Sequence, residues 1–487
     1  MKLCERLQEI IGMYKNSEKK AIIYDEESMT YGELYYKAYS MAKMINQKKK
    51  NERVALFLPD GCDYLTAYFA ILLADCSVFP IKVISKVYEL EKNYQLCGFS
   101  VLITKEAFLK ELPESYLSNK ELQILTVETI NVDENDISYM QSVEYRNEVA
   151  VLLNTSGTTS SPKIVRLSHT NLLATMDAYF DLDKLEEDAI LLLKVPFSSS
   201  YGNFIILSSL FCHATMICKT NLISQRSFLE IIDKYRVTHF ECIAPFLKVI
   251  TNKDIGSDYD ISSLAHIAFG GDAVGKVLIG LIMQKYPNVT IGQAYGMSEA
   301  SPLIAIMDPK LSIEDKAKFQ EKMLSVGKAA KGVQLKIDGN ESEGELLVKG
   351  PNVMLGYLNN QEETDRVLQG GYLHTGDIAY IDEEGYVFLK GRKKNCIIVN
   401  GFNVYPEEVE EVLCKYSGVK GALVYGCIDQ NQNVQIGCKI ETKEKFEGKE
   451  KEIQDFCCNY LTNYKIPKKI IFVEALERNN TGKVIRK

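Results

Sequence analysis

The sequence lacks three features that would place it outside the ordinary globular proteins. Its longest apolar stretch, about residues 204–218, is interrupted by serine and histidine and is too short to span a bilayer. The first fourteen residues have no apolar core of the kind found in signal peptides, so we expect a cytoplasmic protein. Lys and Arg number 57 against 65 Asp and Glu, and the resulting net charge of −8 argues against general nucleic-acid binding.

The thirteen cysteines include no Cys-x-x-Cys pair, and Cys457 and Cys458 are adjacent. A disulfide framework or a structural zinc site is therefore not expected, and reduced thiols in the cytosol are the simplest interpretation. The length of 487 residues favours roughly three domains and allows several cores. Hydrophobic residues make up 46% and charged residues 25%, which excludes a disordered or collagen-like chain.

The first 330 residues alternate between helical and strand patterns. Apolar spacing predicts helices over residues 31–49, 64–74 and 227–235. Apolar runs predict buried strands at residues 54–58, 77–81, 149–154, 189–195 and 211–219. Because such alternation is typical of βαβ units, we expect parallel sheets covered on both faces.

The pattern changes near residue 330. Short strands with Gly-rich turns are predicted at residues 334–338, 344–349 and 378–382, as in antiparallel structure. A compact α+β pattern follows Gly391-Arg-Lys-Lys394, with helices at residues 406–416 and 449–461 and strands at 397–399, 422–427 and 434–440. We place a domain boundary at about residue 392.

A hydroxyl-rich loop follows the strand at residues 149–154. Residues Thr155 to Ser161 hold six hydroxyl side chains and one glycine, and Lys163 adds a positive charge. Hydroxyls and turn-exposed N–H groups form a concavity suited to phosphate oxygens. A flexible polar linker has the same composition, so composition leaves both interpretations open. The loop does not follow the Walker pattern, which disfavours an ordinary P-loop NTPase.

Several further segments make the resemblance specific. Thr155-Ser-Gly-Thr-Thr159 with Pro162-Lys163 resembles the phosphate-binding core of the adenylate-forming superfamily, which includes acyl- and aryl-CoA synthetases, nonribosomal peptide adenylation domains and luciferases. Four segments match in order: Tyr295-Gly-Met-Ser-Glu299, Tyr372-Leu-His-Thr-Gly-Asp377, Gly391-Arg392 with Lys394, and Asn480-Thr-Gly-Lys483. Weaker matches occur at residues 30–34 and 269–273.

The resemblance implies an α/β fold. We expect a large N-terminal domain of layered β-sheets with helices over residues 1–392, including a smaller β-rich subdomain at about residues 325–392. A small, mobile α+β C-terminal domain over residues 393–487 would carry the catalytic lysine.

The resemblance also implies an ATP-dependent enzyme that activates a carboxylic acid as acyl-AMP, releases pyrophosphate and transfers the acyl group to a thiol. ATP and Mg²⁺ are the implied cofactors, with coenzyme A or a phosphopantetheine arm as acceptor. Lys483 and Glu299 are implied to be catalytic, with Glu299 holding Mg²⁺. ATP or AMP binding is implied for Thr155, Ser156, Gly157, Thr158, Thr159, Lys163, Gly271, Asp272, Ala273, Ala294, Tyr295, Gly296, Met297, Ser298, Asp377 and Arg392.

A hinge and a thiol channel are implied as well. Lys394 stands at the family's interdomain hinge, and Gly401 and Phe402 stand where the family lines its pantetheine channel. Rotation about the hinge would exchange Lys483 for this channel between the two half-reactions. Taken singly, each of these residues has an ordinary explanation: residues 392–394 as a solvated basic turn, and Lys483 as part of a basic tail.

The implied acid pocket is formed by residues from three segments: Phe197, Ser199, Tyr201, Gly202, Gly270 and Ala294. Ser199 stands where many acyl- and aryl-CoA ligases have histidine. No acidic residue occurs between Lys194 and Cys218, which disfavours an α-amino acid because its ammonium group would lack a partner. An aryl or aliphatic acid is therefore expected.

Two departures and two alternatives remain. Ser160 and Ile164 replace glycines of the family's phosphate loop, which we expect to stiffen the loop. One alternative is a stand-alone adenylation enzyme that loads a carrier protein in trans. The other is a nucleotide-binding homologue that keeps the fold without turnover.

Overall fold

The computed structural model of the chain describes residues 2–141, 143–155, 163–182, 188–251, 258–271, 274–339, 343–399, 402–428, 434–442, 446, 448–479 and 484–486. It divides into two compact units: unit 1 is Met1–Gln334 with Val348–Leu373, and unit 2 is Leu335–Leu347 with His374–Lys487. The domain boundary expected near residue 392 stays a prediction. It was placed at a hinge, and a division of the chain into compact units does not test where the chain bends.

The strands in the first 330 residues are β1 (Lys20–Tyr24), β2 (Glu27–Thr30), β3 (Arg53–Leu56), β4 (Ser77–Pro80), β5 (Val101–Thr104), β6 (Gln123–Thr126), β7 (Val149–Thr155), β8 (Lys163–Ser168), β9 (Ile190–Lys194), β10 (Thr215–Cys218), β11 (His239–Ile243), β12 (His266–Gly270), β13 (Thr290–Gly296), β14 (Leu303–Ile306) and β15 (Lys328–Ala329). The strands that follow are β16 (Gln334–Asp338), β17 (Gly344–Lys349), β18 (Gly356–Tyr357), β19 (Leu368–Gln369), β20 (Tyr372–Ile381), β21 (Val387–Arg392), β22 (Ile397–Val399), β23 (Phe402–Val404), β24 (Val419–Ile428), β25 (Val434–Thr442) and β26 (Lys469–Val473).

The α-helices are α1 (Leu3–Met13), α2 (Tyr31–Lys48), α3 (Cys62–Leu73), α4 (Val87–Cys97), α5 (Glu114–Leu117), α6 (Asn135–Gln141), α7 (His169–Leu182), α8 (Ser200–Phe211), α9 (Gln225–Tyr235), α10 (Ala244–Thr251), α11 (Lys276–Lys285), α12 (Leu311–Glu314), α13 (Lys316–Lys322), α14 (Gln361–Val367), α15 (Pro406–Cys414) and α16 (Glu450–Cys458). Within the described residues, none of the helices combines the length and the apolarity needed to cross a membrane.

Unit 1 contains two large sheets. The first has the strand order β15-β14-β13-β12-β11-β9-β10-β1-β2, and the pairs between β13 and β1 in this order are parallel. The second has the order β18-β8-β7-β4-β3-β5-β6, with parallel pairs from β7 to β6. Parallel strands buried on both faces need continuous apolar runs, which the sequence supplies in β3, β5, β9 and β12.

Local signals explain where two important helices begin. The Glu33 N–H donates to the Thr30 hydroxyl at 3.0 Å and the Thr30 N–H donates to the Glu33 carboxylate at 2.7 Å, which is a capping box at the start of α2. The weakly matched segment at residues 30–34 therefore has a structural role. Helix α8 begins after Ser199, whose hydroxyl accepts from the Gly202 N–H at 2.9 Å.

Unit 2 combines a small antiparallel sheet with an α+β body. Strands β20 and β21 form a hairpin in which Asp377 is paired with Arg392. The body has the sheet β24-β25-β26, with β22 and β23 as a separate hairpin. Val409 of α15, Ile453 of α16 and Ile440 of β25 share one buried apolar cluster, which is the core of this unit.

Most predicted elements are confirmed within a few residues, and the α/β fold class is confirmed. One prediction is wrong: residues 211–219 were expected to be a strand, but Phe211 ends helix α8 and the strand β10 begins only at Thr215. A continuous apolar run does not distinguish a buried helix from a buried strand, and α8 is buried along most of its length.

Candidate active site

The predicted phosphate loop connects two antiparallel strands. Thr155 at the end of β7 is paired with Lys163 at the start of β8. The Thr155 hydroxyl donates to the Lys163 carbonyl at 3.4 Å. Residues Ser156, Gly157, Thr158 and Thr159 lie outside the described residues, so their phosphate-binding role stays a prediction. The closed hairpin brings the two ends of the loop together.

Ile164, one of the two departures from the family's glycines, has a packing role. Its side chain is 2% exposed and belongs to the buried apolar cluster that includes Phe79 and Leu152. Its carbonyl accepts from the Leu358 N–H at 2.7 Å. The residue is therefore part of the core of unit 1. The second departure, Ser160, lies outside the described residues.

Lys163 lies in a polar cluster beside the loop. Its ammonium group forms an ion pair with Glu363 and lies 5.2 Å from the centre of the Tyr357 ring. Hydrogen bonds from Arg366 and, to a smaller extent, from Lys163 lower the pKa of Glu363 to about 2. The cation is thus held at the loop exit by an ionised carboxylate.

Glu299 contacts the hydroxyl end of Tyr357. It belongs to the 3₁₀ turn Ser298–Ala300 and is 8% exposed. The Tyr357 hydroxyl donates to its Oε1 at 2.8 Å. Burial, followed by the neighbouring Glu299, raises the pKa of Tyr357 far above its ordinary value, so the phenol remains a donor. The structure therefore brings Lys163 and Glu299 together around a tyrosine that sequence reasoning did not identify.

The donor chemistry at Glu299 fits a magnesium ion. Mg²⁺ takes oxygen ligands and is usually bound through one or two carboxylates together with phosphate oxygens. Glu299 offers a carboxylate that one hydrogen bond orients, with Lys163 and the start of the hydroxyl-rich loop nearby. Its role as a metal ligand stays a prediction.

The predicted adenine-binding segments lie at the carboxyl ends of β12 and β13. Tyr295 and Ala294 are partly buried on β13, which turns into β14 immediately afterwards. Gly296 is required there, because a Cβ at this position would lie 1.7 Å from the Pro302 carbonyl oxygen. Met297 and Ser298 follow in the same turn.

Gly270 and Gly271 end the neighbouring strand β12. Gly271 is exposed and has a φ of +92°, a conformation that side chains rarely adopt. Asp272 and Ala273 lie outside the described residues. The nucleotide-binding role of this segment stays a prediction.

The predicted ribose site in unit 2 is an ion pair across a hairpin. The Arg392 Nε lies 2.7 Å from Asp377 Oδ1, and Asp377 is 6% exposed. The Arg392 guanidinium also donates to the Thr375 carbonyl at 3.2 Å, and the Asp377 N–H donates to the Thr375 hydroxyl at 3.0 Å. These bonds fix the orientation of the Asp377 carboxylate.

Glu345 on β17 forms hydrogen bonds with residues next to this ion pair. Its carboxylate accepts from the Gly376 N–H at 3.0 Å and from Lys393 Nζ at 2.8 Å. Burial raises the pKa of Glu345, but the hydrogen bonds from Lys393 and His374 outweigh it and leave the pKa below its ordinary value. Sequence reasoning missed this residue, whose signal is a carboxylate at the start of an otherwise apolar strand.

A group of possible metal ligands includes the same residue. Within the described part of the chain, donor atoms of Asp338, Glu345 and His374 lie within 4.8 Å of one another. Because Lys393 already supplies a positive charge to Glu345, its ion pair explains the clustering of these side chains without a metal ion.

The hinge, channel and lysine predictions have limited structural coverage. Lys394 lies exposed in the 3₁₀ turn Lys393–Asn395. Phe402 begins strand β23. Gly401 and Lys483 lie outside the described residues, so all three roles stay predictions.

The residues on either side of Lys483 are anchored. Arg478 forms an isolated bridge with Val484 and an ion pair with Glu441 at 3.0 Å. Arg486 donates to Glu410 on α15 at 2.5 Å and to the Val424 carbonyl at 3.2 Å. The segment that carries the predicted catalytic lysine therefore has a fixed attachment at each end.

The predicted acid pocket divides into two sets of residues. Phe197 is 1% exposed and packs against Tyr64, while Ser199 caps helix α8 and also donates to the Pro196 carbonyl at 2.7 Å. Gly202 packs so closely on this loop that a Cβ would lie 2.0 Å from the Pro196 oxygen. These residues shape the start of α8, and their pocket role stays a prediction.

The second set lies on the face of the first sheet. A Cβ on Gly270 would lie 3.6 Å from both the Tyr201 ring and the Ala294 carbonyl. The Tyr201 hydroxyl donates to Glu241 at 2.6 Å. The sequence analysis did not identify Glu241, although a carboxylate inside the buried strand β11 is itself an unusual feature.

The layered parallel sheets, the α+β unit and the ordered polar clusters define the adenylate-forming class. The chain matches the family model described as "AMP-binding enzyme" over residues 12–358 and the model "AMP-binding enzyme C-terminal domain" over residues 408–483. The chain therefore belongs to the AMP-binding enzyme family, which confirms the resemblance inferred from its motifs.

Relatives and solved structures agree with this assignment. A 4-coumarate–CoA ligase of Petroselinum crispum is 27% identical, and the match covers 95% of this chain and 88% of the relative. A long-chain-fatty-acid–CoA ligase of Bacillus subtilis (strain 168) is 28% identical, with coverage of 96% and 91%. The structure of o-succinylbenzoate CoA synthetase from Bacillus subtilis with its acyl-adenylate intermediate matches with a TM-score of 0.82 and 25% identity, over 98% of this chain and 96% of that one.

Proposed function

We propose that this protein is an ATP-dependent carboxylic acid–thiol ligase that works through an acyl-AMP intermediate. Family membership and the CoA ligases among its relatives support this function. The structural observation that carries it is that Lys163 and Glu299 both contact Tyr357, Lys163 at the ring and Glu299 at the hydroxyl, beside the hydroxyl-rich loop. A cation and an acidic metal ligand beside phosphate-binding groups suit a nucleoside triphosphate.

The first half-reaction activates the acid. A carboxylate oxygen attacks the α-phosphorus of ATP, the bond to the β-phosphate oxygen breaks, and pyrophosphate leaves. Residues 155–159 and Lys163 hold the β- and γ-phosphates in this proposal. Lys483 bridges the attacking carboxylate and the α-phosphate, where it offsets the negative charge that develops in the transition state.

Glu299 would hold Mg²⁺ in this scheme, and the Tyr357 hydroxyl sets the orientation of its carboxylate. Bound Mg²⁺ supplies neutralisation of phosphate charge and alignment of the leaving group. The protein's own contribution is a carboxylate held in one orientation before substrate arrives.

Separate residues recognise the nucleoside. The Asp377 carboxylate accepts hydrogen bonds from the ribose hydroxyls, and the ion pair with Arg392 keeps that carboxylate oriented. Tyr295 stacks on the adenine ring, and the backbone near Gly271 lines its edge. These contacts position ATP without taking part in bond formation.

The second half-reaction transfers the acyl group. A thiol sulfur attacks the acyl carbonyl carbon, the carbon–oxygen bond to phosphate breaks, AMP leaves, and the thiol proton passes to solvent. Coenzyme A or a carrier-protein phosphopantetheine arm serves as acceptor, reached through the channel at Gly401 and Phe402. Lys394 is the hinge that separates the two half-reactions.

A pyrophosphate-release screen tests the proposal. The full-length protein is incubated with Mg·ATP and a panel of aryl and aliphatic acids, with acid-free reactions as the blank. We expect release that depends on one chemical class of acid and that falls sharply in Asp377→Ala. Silence across a broad panel would contradict the proposal and favour a homologue without turnover.

The acceptor is identified in a second assay. Acids that give pyrophosphate release are incubated with coenzyme A or with a panel of phosphopantetheinylated carrier proteins, and thioester formation is followed by mass spectrometry. Thioester formation with coenzyme A supports an acyl-CoA ligase. Transfer confined to one carrier protein supports the stand-alone adenylation enzyme.

A further inference from the structure

One face of the first sheet in unit 1 contains a carboxylate beside very small side chains. The pairing of β11, β12 and β13 places Glu241, Ala268 and Gly292 at one level across the three strands. Because neighbouring residues at one level of a sheet point to the same face, Glu241 stands next to an alanine and a glycine. Any space above the sheet at this level depends on the side chains that flank Ala268 and Gly292.

Two rings partly enclose this space. A Cβ on Gly292 would lie 2.8 Å from the His266 ring, so this ring occupies the space above Gly292, and a Cβ on Gly270 would lie 3.6 Å from the Tyr201 ring. Ala268 nevertheless remains partly exposed, although it lies in a central strand. The face therefore has a recess with Ala268 as its floor and with His266, Tyr201 and Glu241 around it.

The Tyr201 hydroxyl orients the carboxylate in the recess. Glu241 is 4% exposed and accepts from the Tyr201 hydroxyl at 2.6 Å. Burial and the adjacent Glu241 raise the pKa of Tyr201 far above its ordinary value, so Tyr201 remains the donor. A carboxyl group accepts hydrogen bonds through its oxygens, so the chemistry of Glu241 matches a ligand that donates hydrogen bonds.

The recess lies deeper than the predicted reaction centre. Glu241 and Ala268 are two residues before Ile243 and Gly270, which end their strands. Two residues correspond to about 6.6 Å along a strand. This depth suits the far end of a small acid whose carboxylate stays at the strand ends, such as one built on a single benzene ring.

On the basis of the proposed function, we infer that the substrate acid carries a hydrogen-bond donor, a hydroxyl or an ammonium group, at the end opposite its carboxylate, and that Glu241 with Tyr201 selects it. The absence of an acid between Lys194 and Cys218 does not oppose this inference. Glu241 reaches the site from a different strand.

The inference is tested with matched acids in the pyrophosphate-exchange assay. The probes are benzoate, 4-methylbenzoate, 4-hydroxybenzoate and 4-(aminomethyl)benzoate, with hexanoate, 6-hydroxyhexanoate and 6-aminohexanoate as an aliphatic set. We expect kcat/KM for a donor-bearing acid to exceed that of its methyl or unsubstituted partner by about 100-fold or more. Comparing kcat/KM between the hydroxyl-bearing and the ammonium-bearing acids shows which donor is preferred.

Glu241→Gln keeps the size of the side chain and an acceptor for Tyr201. We expect it to reduce the preference for the preferred donor by about tenfold or more, while the apolar acids change far less. Tyr201→Phe leaves the carboxylate in place, so this second variant is expected to keep a clear preference for the ammonium arm.

Several outcomes would overturn the inference. A preference of the wild-type protein for the apolar acids would contradict the inference directly. This measurement does not depend on the folding of any variant. An equal loss for all acids in Glu241→Gln would show that the Tyr201–Glu241 pair only stabilises the fold. In both cases pyrophosphate exchange still occurs, whereas its absence with every acid would instead contradict the proposed function and the inference with it.

Discussion

Tyr357 links a cation and a carboxylate that are distant in the sequence. Its hydroxyl donates to Glu299 and its ring lies beside Lys163. Hydrogen bonds to a metal-binding carboxylate set its orientation and its basicity. We therefore expect Tyr357 to act as a positioning residue for the proposed metal ligand Glu299.

We expect Tyr357→Phe to weaken the response to Mg²⁺ because Glu299 loses the bond that orients it. The Mg²⁺ concentration for half-maximal pyrophosphate exchange should rise by about tenfold. Tyr286→Phe is the matched control, since Tyr286 is also buried and donates to a backbone carbonyl, that of Ile250. An unchanged Mg²⁺ response in Tyr357→Phe, or the same rise in both variants, would remove the assigned role.

Asp60 predicts a pH dependence of stability. It accepts from the Phe197 N–H at 3.1 Å, and burial raises its pKa to about 6, against the lowering effects of that bond and of Lys194. Because its pKa is higher in the folded protein than its ordinary value, the folded state binds more protons between about pH 4 and pH 6. The free energy of unfolding falls as the pH rises through this range.

We expect Asp60→Asn to remove this dependence, because asparagine keeps an acceptor for Phe197 without a buried charge. The variant should have a higher Tm than the wild-type protein at pH 7.5, and this difference should shrink or disappear at pH 4.5. Thermal unfolding of both proteins at the two pH values measures it. An equal Tm difference at both pH values would exclude Asp60 as the titrating group.

At the scale of elements, the last strand-like segment of unit 2 is attached to helix α15. Arg486 bonds Glu410 and the Val424 carbonyl, three residues beyond Lys483. Burial raises the pKa of Glu410 to about 7, although Arg486 lowers it. The attachment is therefore strongest above neutral pH, where Glu410 is ionised.

We expect Arg486→Ala to slow acyl-adenylate formation by about tenfold or more, because a small displacement of a catalytic group is costly. Thioester formation from supplied acyl-AMP should stay near the wild-type rate. The ratio of wild-type to variant adenylation rates should be larger at pH 8 than at pH 6, and Arg486→Lys should restore part of the loss.

The control for this variant is Arg226→Ala, which removes an exposed arginine that pairs with Glu230 on α9. If Arg486→Ala slowed both half-reactions equally, or if its effect did not depend on pH, the segment would have only a structural role.

At the scale of the whole molecule, two half-reactions share one acyl carbon. Lys163 and Glu299, the residues proposed to bind phosphate and metal, belong to unit 1, whereas Asp377, Arg392 and Lys483 belong to unit 2. Mutating a group that only one half-reaction needs should therefore slow that half-reaction and leave the other one intact.

We expect Lys483→Ala to lower the rate of acyl-adenylate formation by about 10²–10³, because it removes one preorganised donor at the α-phosphate. Thioester formation from supplied acyl-AMP should persist. Pyrophosphate exchange and thioester formation are measured separately, with Lys451→Ala on the exposed side of α16 as the control. Full pyrophosphate exchange in Lys483→Ala would contradict the role assigned to this lysine.

The sequence by itself determined the features that depend on neighbouring residues. Apolar patterns located the helices and strands that they predicted to within a few residues, and the contiguous motifs around Thr155, Tyr295 and Asp377 identified the family. The boundary between α8 and β10 was the exception, since a continuous apolar run carries no period.

Tertiary structure alone decided the partners of the polar groups. Tyr201 and Glu241 are 40 residues apart, Glu299 and Tyr357 are 58 apart, and Lys163 and Glu363 are 200 apart. The register of neighbouring strands and the packing of helices choose such partners, and neither has a local signature in the chain. The order of motifs therefore predicts the chemistry, whereas the fold determines which side chains orient the groups that carry it out.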